Sequence, residues 1–297
     1  MEVLLPRSLD EALEMKAASP QAVPIAGGTD LMVELNFDRR RPDGLIDVSR
    51  LPELREWRRE DGGFFLGAGV TYSRIVTELH QFVPLVQASR TVGSPQIRNA
   101  GTVGGNLGTA SPAGDALPVL AAYDAQVLLG SAGNRHTLPW HAFMTGPKKT
   151  AIGSDELILG VRWRPVRGPG SFSKIGTRNA MVIALASLCL VMDEDGRTVR
   201  VALGSVGPTI LRAPDAEEFA AAAMTRSGTW DDPRAGLPLQ TADEFGERVA
   251  AASRPIDDVR GSAAYRRHAC RVLATRALAW ALDDRTAQSG KRASEEA

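Results

Sequence analysis

Cysteine is scarce in this 297-residue sequence: there are two, Cys189 and Cys270. Two thiols 81 positions apart cannot build a zinc ribbon, an iron-sulfur cluster site or a disulfide framework, so any cluster would have to sit on another chain. Nor does charge of one sign prevail. With 35 basic and 35 acidic side chains the formal net charge is zero. A nucleic-acid binder would carry a basic surplus or a concentrated patch to neutralise phosphates, and neither is present. Long apolar runs are missing too. The longest uncharged one, Met181 to Met192, is shorter than the ~18 residues of a membrane span and reads as a buried strand or helix. The start, Met1-Glu2-Val3-Leu4-Leu5-Pro6, has no basic segment and no apolar stretch of signal-peptide length, which makes a cytoplasmic location the expectation.

Several catalytic signatures are also lacking. Gly67-Ala68-Gly69-Val70-Thr71-Tyr72 begins like a dinucleotide fingerprint but has no third glycine for close helix–strand packing. There is no P-loop and no Gly-x-Ser-x-Gly elbow. The histidines, His80, His136, His141 and His268, form no His-Glu-x-x-His pair and read as structural or surface residues.

What is present suits a globular protein of about two domains, with 43% hydrophobic residues and 24% charged. Ser8-Leu9-Asp10-Glu11 has the form of a capping box ahead of a short helix. Val23 to Ala26 reads as a strand entering Gly27-Gly28-Thr29-Asp30, with a helix from Leu31 to Asn36. Further strands are expected at 44–48, 63–69, 126–130, 156–163 and 199–203, and helices at 118–122 and about 262–282. Residues 91–115 are too rich in glycine for a helix interior and read as backbone that approaches something closely. Gly168-Pro169-Gly170 marks a domain boundary.

Two glycine turns carry the chemistry. Ala26-Gly27-Gly28-Thr29-Asp30 offers consecutive backbone N–H groups where a strand meets a helix, a position that favours an anion. Thr102-Val103-Gly104-Gly105-Asn106 offers a second such nest. Together they could hold the two phosphates of one diphosphate. Each taken singly also reads as an ordinary tight turn.

The run from Gly93 to Asp115, Gly-Ser-Pro-Gln-Ile-Arg-Asn-Ala-Gly-Thr-Val-Gly-Gly-Asn-Leu-Gly-Thr-Ala-Ser-Pro-Ala-Gly-Asp, closely resembles the signature of the FAD-binding medium subunit of molybdenum hydroxylases. These are the flavoproteins of xanthine dehydrogenase and carbon monoxide dehydrogenase. The Ala-Gly-Gly-Thr-Asp at 26–30 resembles the family's other flavin turn, and Asp257 to Arg267 resembles the start of its C-terminal helix. The likeness extends over nearly the whole chain.

The resemblance implies an α+β fold. An FAD-binding domain of the vanillyl-alcohol-oxidase-like (PCMH) type would occupy residues 1–167, with subdomains of about 1–55 and 56–167. A C-terminal domain of the CO dehydrogenase flavoprotein type would follow over 168–284, with a disordered tail at 285–297 and the flavin between the domains. The cofactor-binding residues it implies are Ile25, Ala26, Gly27, Gly28, Thr29, Asp30 and Leu31 in the first turn, then Ala100, Gly101, Thr102, Val103, Gly104, Gly105, Asn106 and Thr109, with Gly114 and Asp115 closing the signature. Asp115 either accepts a hydrogen bond from the cofactor or caps the helix beginning near Ala116. Ile158 matches a position that meets the flavin through its backbone, or is an ordinary core residue. Lys174 matches a lysine whose charge could stabilise the reduced, anionic flavin, or is a solvated surface lysine. The stretch 176–181 offers no aromatic to shield the ring, and no catalytic or metal-binding residue is assigned.

By the same resemblance the molybdopterin cofactor and 2Fe-2S iron-sulfur clusters belong to partner chains, a large molybdopterin-binding subunit and a small iron-sulfur subunit. This chain would take electrons from the clusters and pass them to NAD or another acceptor. A purine or other N-heterocycle is the first expectation for the substrate, and carbon monoxide comes behind it. A stand-alone flavin oxidoreductase is the alternative from another class.

Overall fold

The computed structural model describes residues 1–295, which divide into two compact units. Neither unit is continuous in sequence. The first comprises Met1–His80, Val92–Ser111 and Asp124–Pro165; the second comprises Gln81–Thr91, Pro112–Tyr123 and the chain from Val166.

The first unit opens with a three-stranded parallel sheet in which Gly44–Asp47 lies between Glu2–Leu4 and Val23–Ile25. Helix Leu9–Ala18 begins with half of the expected capping box. The Ser8 hydroxyl accepts from Glu11 N at 3.2 Å, while the Glu11 carboxylate accepts from Arg7 N instead of Ser8 N. Its apolar face, Leu9, Ala12 and Leu13, is buried with Ile46, Leu51, Leu54, Leu157 and Leu159. An antiparallel sheet completes the unit, in the order Trp57–Glu60, Gly63–Gly67, Leu157–Trp163, Gln126–Ser131, Asn134–Pro139.

The glycine-rich segment departs from expectation. Residues 91–115 contain two short helices, Pro95–Ala100 and Val103–Thr109. Side-chain caps start both: the Ser94 hydroxyl accepts from Ile97 N and the Thr102 hydroxyl from Gly105 N. Gly104 is tolerated inside the second because its bare Cα presses on Ala68, where a Cβ would come within 2.6 Å of the Ala68 side chain.

The second unit is built on an antiparallel sheet ordered Gly170–Ile175, Ala186–Asp193, Thr198–Gly204, Leu211–Arg212. Leu188, Leu190 and Met192 pair in register with Leu203, Val201 and Val199, and together they form one buried face with the helices Pro214–Arg226, Leu239–Ala252 and Ala263–Glu295. Two short helices, Val83–Thr91 and Leu117–Ala122, also pack against this sheet. Covered strands need not alternate with polar residues, which is why the apolar run ending at Met192 becomes the strand Ala186–Asp193, buried at every position but its last.

Sequence periodicity missed the helices Pro214–Arg226 and Leu239–Ala252. It also ended the last helix too early. A disordered tail was expected over 285–297, yet the helix runs on to Glu295, and residues 296 and 297 lie outside the described residues. Arg285 explains the extension: it is buried, donates to the carbonyls of Thr229 and Trp230, and pairs with Glu194 at 2.9 Å. Among the described residues no helix is long and apolar enough to cross a membrane, and no group of three His, Cys, Asp or Glu side chains is placed to hold a metal ion.

Candidate functional site

Strand Val23–Ile25 runs into the first glycine turn, where Gly28 adopts a left-handed φ of 67°, and helix Leu31–Asn36 follows. The carbonyls of Gly28 and Asp30 start that helix by accepting from Met32 N and Val33 N, each at 3.0 Å. The N–H groups of Gly27, Gly28, Thr29, Asp30 and Leu31 donate to nothing among the described residues. Five consecutive amides in a partly exposed turn are thus free to donate to an anion.

The second turn is different. Val103 N donates to Val70 O (3.2 Å), Gly104 N to Ala68 O (2.8 Å), Gly105 N to the Thr102 hydroxyl (3.0 Å) and Asn106 N to Thr102 O (3.0 Å). Four amides of the nest expected at 102–106 are therefore spent: those of Val103 and Gly104 hold the helix Val103–Thr109 to the segment 68–70, and those of Gly105 and Asn106 turn back to Thr102. The turn serves the first one as a wall. A Cβ on Gly27 would lie 1.7 Å from the Ala100 carbonyl oxygen, so Ala100 and Gly101 rest directly on Gly27. The Thr109 hydroxyl donates to the Asp30 carboxylate at 3.1 Å, which ties the two turns a second time. Asn106 Oδ1 is buried without a hydrogen-bond partner, an acceptor open to a ligand's hydroxyl or amino group. Ile158 faces the same helix, where a Cβ added at Gly108 would lie 3.6 Å from its Cδ1.

The remaining candidates, Gly114, Asp115 and Lys174, are in the second unit. Asp115 does not cap the helix Leu117–Ala122, which starts from Ala116 with no side-chain cap. Its Oδ2 accepts from Lys174 Nζ at 2.7 Å, and the same ammonium donates to Thr91 O at 3.1 Å. Both side chains are more than nine-tenths buried, so Lys174 is not a solvated surface lysine. Asp115 Oδ1 has no hydrogen-bond partner. Burial pushes the Asp115 carboxyl above the ordinary carboxylate range, against the opposing pull of the Lys174 ammonium. The Thr91 carbonyl had no sequence signal, since backbone acceptors carry none.

Within the first unit these features fit a ligand with a diphosphate and a hydroxyl or amino donor: free amides for the first, the orphaned Asn106 oxygen for the second. Residues 1–163 match the family described as the FAD binding domain in molybdopterin dehydrogenase, and residues 171–281 match the CO dehydrogenase flavoprotein C-terminal domain. The chain is 28% identical over 286 residues to a putative xanthine dehydrogenase FAD-binding subunit of Escherichia coli K12, covering 93% of this chain and 94% of that one. It is 33% identical over 255 residues to the nicotinate dehydrogenase FAD-subunit of Eubacterium barkeri, covering 80% and 84%. A solved chain of carbon monoxide dehydrogenase from Hydrogenophaga pseudoflava matches with a TM-score of 0.81 at 27% identity, covering 95% of this chain and 96% of that one. The chain belongs to the FAD-binding family of the molybdopterin dehydrogenases and is a flavoprotein component of an oxidoreductase.

Proposed function

We propose that this chain is the electron-transfer subunit of a molybdenum hydroxylase, assembled with a large molybdopterin-binding chain and a small iron-sulfur chain. The observation that carries the reading is the row of unpaired amides from Gly27 to Leu31, walled by Ala100 and Gly101. Those amides hold the FAD diphosphate, with the Asn106 carbonyl oxygen accepting from a cofactor hydroxyl or amino group. Thr102 acts one step back: its hydroxyl fixes the helix that carries Asn106. Lys174 is held within the second unit by Asp115 and the Thr91 carbonyl. Bound FAD can take up electrons singly and release them in pairs, the chemistry needed between one-electron clusters and a two-electron acceptor such as NAD.

Substrate oxidation belongs to the partner chain. An N-heterocycle is favoured, since relatives named for xanthine and nicotinate span most of this chain. Carbon monoxide is the second reading, supported by the solved carbon monoxide dehydrogenase chain. The purified complex should be assayed with xanthine, nicotinate and carbon monoxide, and its chains identified by mass spectrometry. The isolated chain, its flavin chemically reduced, should pass electrons to an acceptor while oxidising none of the three. Substrate turnover by the chain alone would overturn the assignment.

A further inference from the structure

The wall of the first glycine turn lies on an excursion of the chain. Residues 92–111 belong to the first unit, whereas Gln81–Thr91 before them and Pro112–Tyr123 after them belong to the second. The entry is held along Gly170–Ile175, the outermost strand of its sheet. Helix Val83–Thr91 meets that strand at every second residue. Pro84 sits so near Gly170 that a Cβ there would come within 2.9 Å of it, the Gln87 side-chain oxygen accepts from Phe172 N at 2.7 Å, and Thr91 O accepts from Lys174 Nζ at 3.1 Å. Positions 84, 87 and 91 share one helix face, so the contacts form a single row. The return is held at Pro112, whose carbonyl accepts from Ser205 N at 2.7 Å, and at Asp115, which accepts from the same Lys174 ammonium at 2.7 Å.

Lys174 thus holds both ends of the excursion at once, Thr91 where the segment leaves and Asp115 just after it returns. Both charged side chains are buried, so water competes little for these charge-assisted bonds. Joining the ends of a segment removes every conformation in which they lie apart. That constraint matters most where the chain is freest, and this segment carries glycine at 93, 101, 104, 105 and 108. Its entry is tied on to the wall itself: Arg98, in the helix Pro95–Ala100, donates from Nη1 to the carbonyls of Val92 and Gly93 at 3.1 and 3.2 Å.

We propose that Lys174 is a positioning residue of the cofactor site: its ammonium staples Thr91 to Asp115, and the closed ends hold the segment 92–111 in the arrangement that lays Ala100 and Gly101 on Gly27 and keeps Asn106 Oδ1 buried. The lysine acts through the chain and needs no contact with the cofactor. A segment with fewer conformations to lose binds its ligand with less entropic cost and releases it more slowly. The inference rests on the reading of Gly27 to Leu31 as the FAD diphosphate site.

The test is hydrogen exchange read by mass spectrometry on the full chain, with flavin bound and after its removal, beside the rate of FAD release. In Lys174→Met the peptides covering 92–111 exchange about tenfold faster in both states, and FAD leaves about tenfold faster. The double variant Lys174→Met/Asp115→Asn regains stability but still lacks the staple. Its segment 92–111 exchanges as fast as in Lys174→Met, while the strand Ala186–Asp193 stays as protected as in wild type. Lys174→Arg, which keeps a cation with several donors, retains slow exchange and slow release. Unchanged exchange over 92–111 in both Met variants overturns the staple. So does a rise that spreads equally over Ala186–Asp193, the mark of general destabilisation. Exchange altered only while flavin is bound also overturns it, by placing Lys174 on the cofactor itself. A wild-type chain that binds no FAD overturns the cofactor reading, whereas the staple stands or falls on exchange in the flavin-free protein.

Discussion

Lys174 and Asp115, 59 positions apart, meet at 2.7 Å in a buried ion pair that leaves one carboxylate oxygen without a partner. Removing one member leaves a buried charge uncompensated. Lys174→Met should cost about 3–5 kcal/mol of unfolding free energy, and the double variant Lys174→Met/Asp115→Asn distinctly less. Denaturant titration of wild type, Lys174→Met, Asp115→Asn and the double variant checks this; additive losses would contradict it.

The same pair sets a pH dependence. The folded-state pKa of Asp115 is raised, so its ionisation costs stability: the contribution is fully present below the unfolded carboxylate value and is lost as pH rises through the folded value. The stability of wild type relative to Asp115→Asn should therefore be greater in acid than at neutral pH. A difference that grows as pH rises would refute the sign.

Gly27 and Gly105 should respond differently to alanine. At Gly27 the methyl would fall 1.7 Å from the Ala100 oxygen, whereas at Gly105 its nearest neighbour is the Thr102 hydroxyl at 3.2 Å. Gly27→Ala is expected to lose FAD and about 3 kcal/mol or more of stability, while Gly105→Ala keeps most of its flavin. Flavin absorbance per chain and thermal unfolding measure both.

Thr102→Ala removes a helix cap and no anion donor. It should cost about 1 kcal/mol of stability, with Thr102→Ser restoring it. Diphosphate affinity, read as FAD release on dilution, should fall less than in Gly27→Ala.

Cys189 and Cys270 should be inert in the folded protein. Both are buried; burial raises the Cys189 thiol far out of the physiological range and pushes Cys270 up to about 12. A thiol reagent at neutral pH should label neither until denaturant is added.

Arg285→Ala should destabilise the second unit by about 3 kcal/mol, since the Thr229 and Trp230 carbonyls lose their donor and Glu194 a partner. Calorimetry on the intact chain reads this directly.

Much of this molecule was legible from residues alone, for local reasons. Helix Leu31–Asn36 and the strands around Gly44–Asp47 and Thr198–Gly204 follow from turn residues and hydrophobic spacing within a few positions. The first glycine turn stands where composition put it, and two cysteines alone exclude an iron-sulfur cluster ligated by this chain's thiols. Three features needed the tertiary structure. The amides of Val103 and Gly104 are spent because Val70 and Ala68 supply carbonyls from more than thirty positions away, and spacing reports only near neighbours. The helices Val83–Thr91 and Leu117–Ala122 join the second unit because its sheet buries their apolar faces, although their sequence lies within the first family domain. Asp115 turned from a plausible helix cap into the partner of Lys174 because burial leaves a charge only the acceptor that packing brings to it.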